Sequence, residues 1–290
     1  MAKFRLLHER LRREGFADDR HWHQPLPAPR RWMERVHRRC YLEAFAQGRL
    51  EAAAQRRIGL PSSLALVRRT WLAVGGTVLT ARLALRHGLA CHLAGGTHHA
   101  FPDYGSGFCI VNDVAVAARV LLENGAVRRL LVVDLDVHQG DGTAWIFAQE
   151  PRVFTFSAHA VNNFPARKQQ SDLDLPLPDG MEDDEYLAAV GAVLPGLLDG
   201  QRPDLVLYNA GVDPHRQDRL GRLCLSSGGL WRRDQLVIEA CRSRRIPLAT
   251  LLGGGYDDLE PLVERHALVF HAAAESARRH GLAALPRQGP

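Results

Sequence analysis

Five short apolar runs, each ending in a polar cluster and most leading into a helical pattern, constrain this chain more than any other feature. They are LACHL at 89–93, RLLVVDL at 129–135, RVFTFS at 152–157, DLVLYNA at 204–210 and IPLATLL at 246–252. Apolar residues then return at helical spacing from Val111 to Leu122, Ala144 to Gln149, Asp183 to Leu198 and 228–243, with a last helix over 257–275. Strands that are apolar on both faces must be covered on both faces, and strand–helix alternation makes them parallel. The expected fold class is α/β: one three-layer α/β/α domain around a central, mainly parallel sheet. No internal repeat or linker divides the chain, and residues 276–290 read as a tail.

Ahead of the first strand the pattern is helical. Phe4, Leu6, Leu7 and Leu11 share one helix face. A second run (Trp32, Val36, Cys40, Leu42) closes near Gln47-Gly48, and a third runs from Ser62-Ser63 through Trp71 and Val78 to a glycine stop at Gly88. This front end is basic, with 16 Lys/Arg against 7 Asp/Glu in residues 1–70, whereas the remainder has 21 against 25. The acidic remainder argues against nucleic acid as a partner, and the arginine-rich front reads as a solvated helical face. No apolar stretch is long enough to span a membrane. The N-terminus lacks the pattern of a signal peptide. The five cysteines form no C-x-x-C, so a reducing, cytoplasmic setting is expected.

In an open parallel sheet, ligands bind beyond the carboxyl ends of the strands. The residues that follow the strands here are Gly95-Gly96-Thr97-His98-His99, Asp134-Leu135-Asp136-Val137-His138, Ser157-Ala158-His159, Gly211-Val212-Asp213 and Gly253-Gly254-Gly255-Tyr256. Along extended backbone Asp134, Asp136 and His138 project to one side. Buried carboxylates need partners. A divalent zinc, iron or manganese ion held by Asp136, His138 and Asp213 would supply them and keep a position open for water. Capping of helix N-termini is the other use such a cluster can have. His98 and His99, neighbours that must point apart, suit paired acid/base groups oriented by Asp134 and Asp141. Tyr256 suits donation to an oxyanion, or simple packing in its turn. Gly107, Phe108 and Cys109 suit a channel wall or an ordinary core. His8, His21, His23, His37 and His87, among arginines, read as surface residues, and His215 as a loop residue. No P-loop, G-x-G-x-x-G or G-x-S-x-G occurs.

The motifs GGTHHA, GFCIVNDVAVAA (107–118), VVDLDVHQGDGTA (132–144), NAGVDPH (209–215) and LGGGY (252–256) together resemble the histone deacetylase family, of the arginase/deacetylase fold. HQGDGT and SDLDLPLPDG (171–180) resemble its bacterial, class IV-like branch. The resemblance implies Zn²⁺ or Fe²⁺ on Asp136, His138 and Asp213, and a structural K⁺ near Asp134 and Ser157. It implies His99 as general base and then acid, with His98 beside it, Asp134 and Asp141 as their carboxylate partners, and Tyr256 as the group that polarises the acyl carbonyl. It implies an acyl-lysine channel walled by Gly107, Phe108 and Phe164. The expected substrate is an acylated lysine in a peptide or protein, or a small acylated amine such as an acetylpolyamine. Relatives of this kind begin with one more strand before the run that here reads MAKFRLLHERL, so the first strand is expected to be missing. Two other readings compete: a dimanganese ureohydrolase, which lacks its S-x-D-x-D run here, and a non-catalytic acyl-lysine binder.

Overall fold

The apolar runs form the strands of one sheet, and the helical segments cover both its faces. The computed structural model describes residues 2–280. Its elements are α1 (Ala2–Arg13), α2 (Arg30–Met33), α3 (Arg39–Ala46), α4 (Ala52–Ile58), α5 (Leu64–His87), β1 (Leu89–Cys91), α6 (Asp113–Glu123), β2 (Leu130–Asp134), α7 (Asp141–Phe147), β3 (Val153–Ala160), β4 (Leu173–Leu177), α8 (Asp183–Gln201), β5 (Leu205–Asn209), α9 (Ser227–Ser243), β6 (Leu248–Leu251) and α10 (Leu259–His280). The six strands lie in the order β1-β6-β5-β2-β3-β4, every pair parallel.

Side chains alternate along each strand, so β2 feeds two cores. Leu131 and Val133 pack with Tyr186 and Val190 of α8, Leu230 and Val237 of α9 and Phe270 of α10. Leu130 and Val132 pack on the other face with Ala81 and Ala84 of α5 and Val114 and Leu121 of α6. A third cluster under α2, α3 and α4 gathers Met33, Leu42, Phe45 and Ile58 against Val74 and Val116. The result is the three-layer α/β/α fold expected from the strand–helix alternation.

Several boundaries differ, each for a local reason. α7 starts at Asp141, three residues early, because its first turn is the glycine-bearing Asp141-Gly142 that reads as loop. β3 runs on to Ala160 through His159, a polar residue buried in the sheet. β4 was not anticipated: Pro176 argues against a strand, but β4 is an edge strand, where the lost amide costs little. Cys40 is exposed rather than part of an apolar face. The presumed tail begins inside α10, which reaches His280, and residues 281–290 lie outside the described residues.

The strand order positions the site. From β2 the chain steps outward to β3 and β4, whereas β5 and β6 lie on the other side of β2. The crevice at such a reversal is where ligands bind in open α/β sheets. The β2–β5 ladder pairs Asp134 with Asn209, which aligns the two loops that follow. A separate groove of about 1330 Å³ runs beside β1 between α5 and α10, lined by Phe16, Trp22, Leu72 and Ala277, away from the polar cluster. Among the described residues no helix is long and apolar enough to cross a membrane.

Candidate active site

Beyond β2 the chain bends through 136–138 and carries Asp136 and His138 into one cluster, and the loop after β5 brings Asp213 to meet them. Their ligating atoms lie within 4.8 Å of one another, and all three residues are buried. His138 Nδ1 stands 3.0 Å from Asp136 Oδ1 and 3.2 Å from Asp213 Oδ2. The outer oxygens are committed elsewhere: Asp136 Oδ2 accepts the Gly254 N–H at 2.7 Å and Asp213 Oδ1 the Val137 N–H at 2.9 Å. Asp213 Oδ2 is buried with no hydrogen-bond donor. An imidazole hydrogen can serve one carboxylate, not two, so these atoms are electron-pair donors with too few protons between them. The set therefore fits a divalent cation with nitrogen and oxygen ligands. Gly254 must be glycine here, since a Cβ would stand 2.0 Å from Asp213 Oδ2.

The tandem histidines face this cluster. His98 Nδ1 donates to Asp134 Oδ2 and His99 Nδ1 to Asp141 Oδ1, both at 2.7 Å. His99 Nε2 is thereby left as the unprotonated nitrogen of a neutral ring. The two rings stand 4.0 Å apart, and His99 stands 5.9 Å from His138. Burial and the neighbouring His98 lower His99 to about 4, against the pull of Asp141. Burial also works against the charged form of His98, but Asp134 and Asp136 outweigh it and raise this group to about 9. Burial and the charge of Asp136 raise Asp213 to about 7. Burial works against the charged form of His138, but the carboxylates of Asp136 and Asp213 beside its Nδ1 outweigh it and lift the group to about 10. One anionic cluster thus pulls protons toward His98 and His138 and leaves His99 neutral.

Tyr256 follows the glycine turn after β6. Its ring lies 6.0 Å from His138 and 5.5 Å from Phe108. Burial, with Asp136 and Asp213 close by, holds the phenol well above its usual value, so it stays a donor. Phe164 stands edge-on to His99 at 4.8 Å. Phe108 and Phe164 are 41% and 42% exposed, unusual for large apolar rings beside buried histidines. Gly107 has φ +50°, and a Cβ there would meet His99 and Phe164 at 2.7 and 3.1 Å. Asp134 and Ser157 are register partners on β2 and β3, the place expected for a second, structural cation.

Several residues that shape the site were not singled out in the sequence. His37 is a correction: expected at the surface, it is only 2% exposed. Its Nδ1 donates to the Phe101 carbonyl and its Nε2 accepts the Asn112 N–H, each at 2.9 Å. Asn112 caps α6 through the Ala115 N–H and donates to the His98 and Ala100 carbonyls and to Thr143. Asn209 donates to Asp134 Oδ1 at 3.0 Å, and Asp218 accepts the Tyr256 N–H at 2.7 Å. Asp113 accepts from Gly96 and Thr97, which fixes the loop ahead of the histidines. Lys3 of α1 reaches His266 Nε2 at 3.3 Å behind the glycine turn, and burial lowers it to about 8 despite the pull of Asp213. His215 has the loop role expected, with Nδ1 accepting the Gln217 N–H. Apart from the carboxamides after a strand or before a helix, no spacing marks these partners, which lie tens of residues away in sequence.

The chain is similar to known proteins. The chain matches the histone deacetylase domain over residues 1–272. It is 54% identical over 276 residues to an uncharacterised protein of Picosynechococcus sp., covering 95% of this chain and 92% of that protein. It is 32% identical over 212 residues to histone deacetylase 2 of Arabidopsis thaliana, covering 72% of this chain and 53% of that protein, about half its length. Among solved structures, an HDAC homologue from Aquifex aeolicus superposes with a TM-score of 0.79 at 26% identity, over 93% of this chain and 77% of that one. The sheet order, the Asp136–His138–Asp213 cluster and the match across nearly the whole chain lead to one assignment: the chain belongs to the histone deacetylase family.

Proposed function

We propose that this chain is a metal-dependent deacylase that hydrolyses the amide of an acyl-lysine or a related acylated amine. One observation carries the reading: three buried donor atoms converge beside a neutral histidine, His99, whose ring lies 5.9 Å from that of His138 and whose other nitrogen is held by a carboxylate. Asp136, His138 and Asp213 would hold the ion, zinc or ferrous iron, which when bound would polarise the acyl carbonyl and acidify a water. His99 Nε2 takes a proton from the attacking water, since Asp141 holds its Nδ1–H. Tyr256 donates its hydroxyl to the oxygen on which charge develops. The imidazolium formed at His99 then hands its proton to the leaving amine, while His98, paired with Asp134, holds positive charge beside it. Phe108 and Phe164 shield the acyl-bearing chain from water, and Gly107 leaves room between them.

The test is a mass-spectrometric screen of acyl-lysine peptides and acylpolyamines with Zn²⁺ or Fe²⁺, with His99→Ala and Tyr256→Phe as controls. Release of carboxylate and free amine by the native chain, lost in both variants, is the expected result. Binding of an acyl-lysine peptide without any release would favour a reader instead. Two manganese ions per chain would favour the ureohydrolase chemistry of the same fold.

A further inference from the structure

Gln139 directly follows the proposed ligand His138 and is 1% exposed, yet nothing in the hydrolytic chemistry calls for its amide. That amide grips the backbone of Gln169 from both sides. Nε2 donates to the Gln169 carbonyl at 2.7 Å and Oε1 accepts the Gln169 N–H at 2.8 Å. Nε2 also reaches Asp174 Oδ1 of the edge strand β4 at 2.9 Å. The next residue back, Lys168, donates to the carbonyls of Asn163 and Pro165, which flank Phe164. Asn163 donates to the Leu220 carbonyl at 2.8 Å. Asp218 then accepts the N–H groups of Leu220, Gly221 and Tyr256. A chain of hydrogen bonds therefore runs around the channel mouth from the residue beside His138 to Tyr256, and the exposed ring of Phe164 rides on it.

We propose that Gln139 is a positioning residue: through Gln169 it holds the 163–169 turn, sets where the Phe164 ring stands against His99, and so selects the length of acyl chain admitted. The selection part rests on the deacylase reading. Phe164 has no core of its own to hold it, being 42% exposed, so its place depends on the turn that carries it. Removing the Gln139 amide leaves the Gln169 N–H and carbonyl without their partner. The turn then keeps its Lys168 and Asn163 ties and the packing of buried Pro165, but loses its hold at Gln169. A wall that shifts by a fraction of an ångström changes the fit of each added methylene, and one methylene in a tight pocket is worth about 10-fold or more in discrimination.

The experiment uses the metal-loaded full chain and three variants. Gln139→Met keeps the length and loses the amide. Gln139→Glu keeps the acceptor for the Gln169 N–H and loses the donor. Asn163→Ala breaks the same run at its other end. Each is given lysine peptides acylated from acetyl to decanoyl, with bound metal measured on the same samples. The ratio of kcat/KM between the longest and shortest chains is expected to shift by about fivefold or more in Gln139→Met, mainly through KM. Asn163→Ala should shift it in the same direction, and Gln139→Glu, whose new oxygen faces Asp174 Oδ1 and the Gln169 carbonyl, by at least as much as Gln139→Met. A ratio within about twofold of the native value, with metal retained, overturns the proposal. Hydrogen exchange supplies a readout without turnover: the Gln169 amide should exchange about 10-fold faster in Gln139→Met. Unchanged exchange refutes the clip itself. Absence of cleavage by the native chain refutes the deacylase reading, and the selection claim with it, whatever the exchange shows.

Discussion

At the scale of single residues, the site divides into groups that touch the reacting atoms and groups that hold them. His99→Ala removes the proposed base and should lower kcat by about 10²–10⁴-fold. Tyr256→Phe removes the proposed donor to the oxyanion and should cost about 10²–10³-fold. Both variants should keep bound metal and melting temperature near the native values; a Tyr256→Phe enzyme with full kcat would remove the phenol from the reaction. Arg233 is different. It is fully buried on α9, donates to the carbonyls of Gly211 at 2.6 Å and Leu135 at 3.3 Å, and pairs with Asp234 at 2.8 Å. Those carbonyls belong to the two loops that carry the ligand cluster. Asp234→Ala strands a buried guanidinium and should cost about 3–5 kcal/mol in denaturant unfolding. A loss below about 1 kcal/mol would show that the pair is dispensable.

At the scale of elements, the loop between α2 and α3 supports the start of α6 through His37 and Asn112. Asn112→Ala removes a cap and strips donors from buried carbonyls, a loss of about 2 kcal/mol in urea unfolding. His37 adds a pH dependence. Burial depresses it from 6.5 to about 4 in the fold. Its neutral form is favoured only in the folded chain, so its contribution is complete above pH 6.5 and is lost as pH falls toward 4. Across that window native stability should drop about 3 kcal/mol more than that of His37→Gln, measured by denaturant titration at each pH. Parallel curves for the two proteins would refute this. These elements also show what the sequence could and could not tell. Asp134-x-Asp136-x-His138 was legible as a polar cluster at a strand end, although β2 stops at Asp134 and the chain bends through 136–138 rather than continuing as strand. The histidine pair was legible because it follows a strand and two glycines. His37 was not, because its environment is set by Phe101 and Asn112, 64 and 75 residues away. The strand β4 was hidden by Pro176, which is harmless only at a sheet edge. Gln139, visible in the sequence only as part of HQGDGT, gains its proposed role once its partner Gln169 is known.

At the scale of the whole molecule, one sheet joins two stretches of sequence into one site. If Asp136, His138 and Asp213 hold an ion in the fold and not in the unfolded chain, chelation should lower the melting temperature, and added Zn²⁺ should raise it in a concentration-dependent way. Asp136→Asn and Asp213→Asn should flatten that response; an equal response in all three proteins would place the ion elsewhere. The β2–β5 ladder has a further implication. It aligns Asp134 with Asn209, 75 residues onward, and only that alignment brings Asp213 beside the His138 ring. A nascent chain that has not yet emerged past β5, or a fragment cut within α8, owns two of the three donors and cannot grip the ion. If the cluster holds an ion, loading waits until the chain has passed β5, and uptake of the ion would report that β2 and β5 have paired.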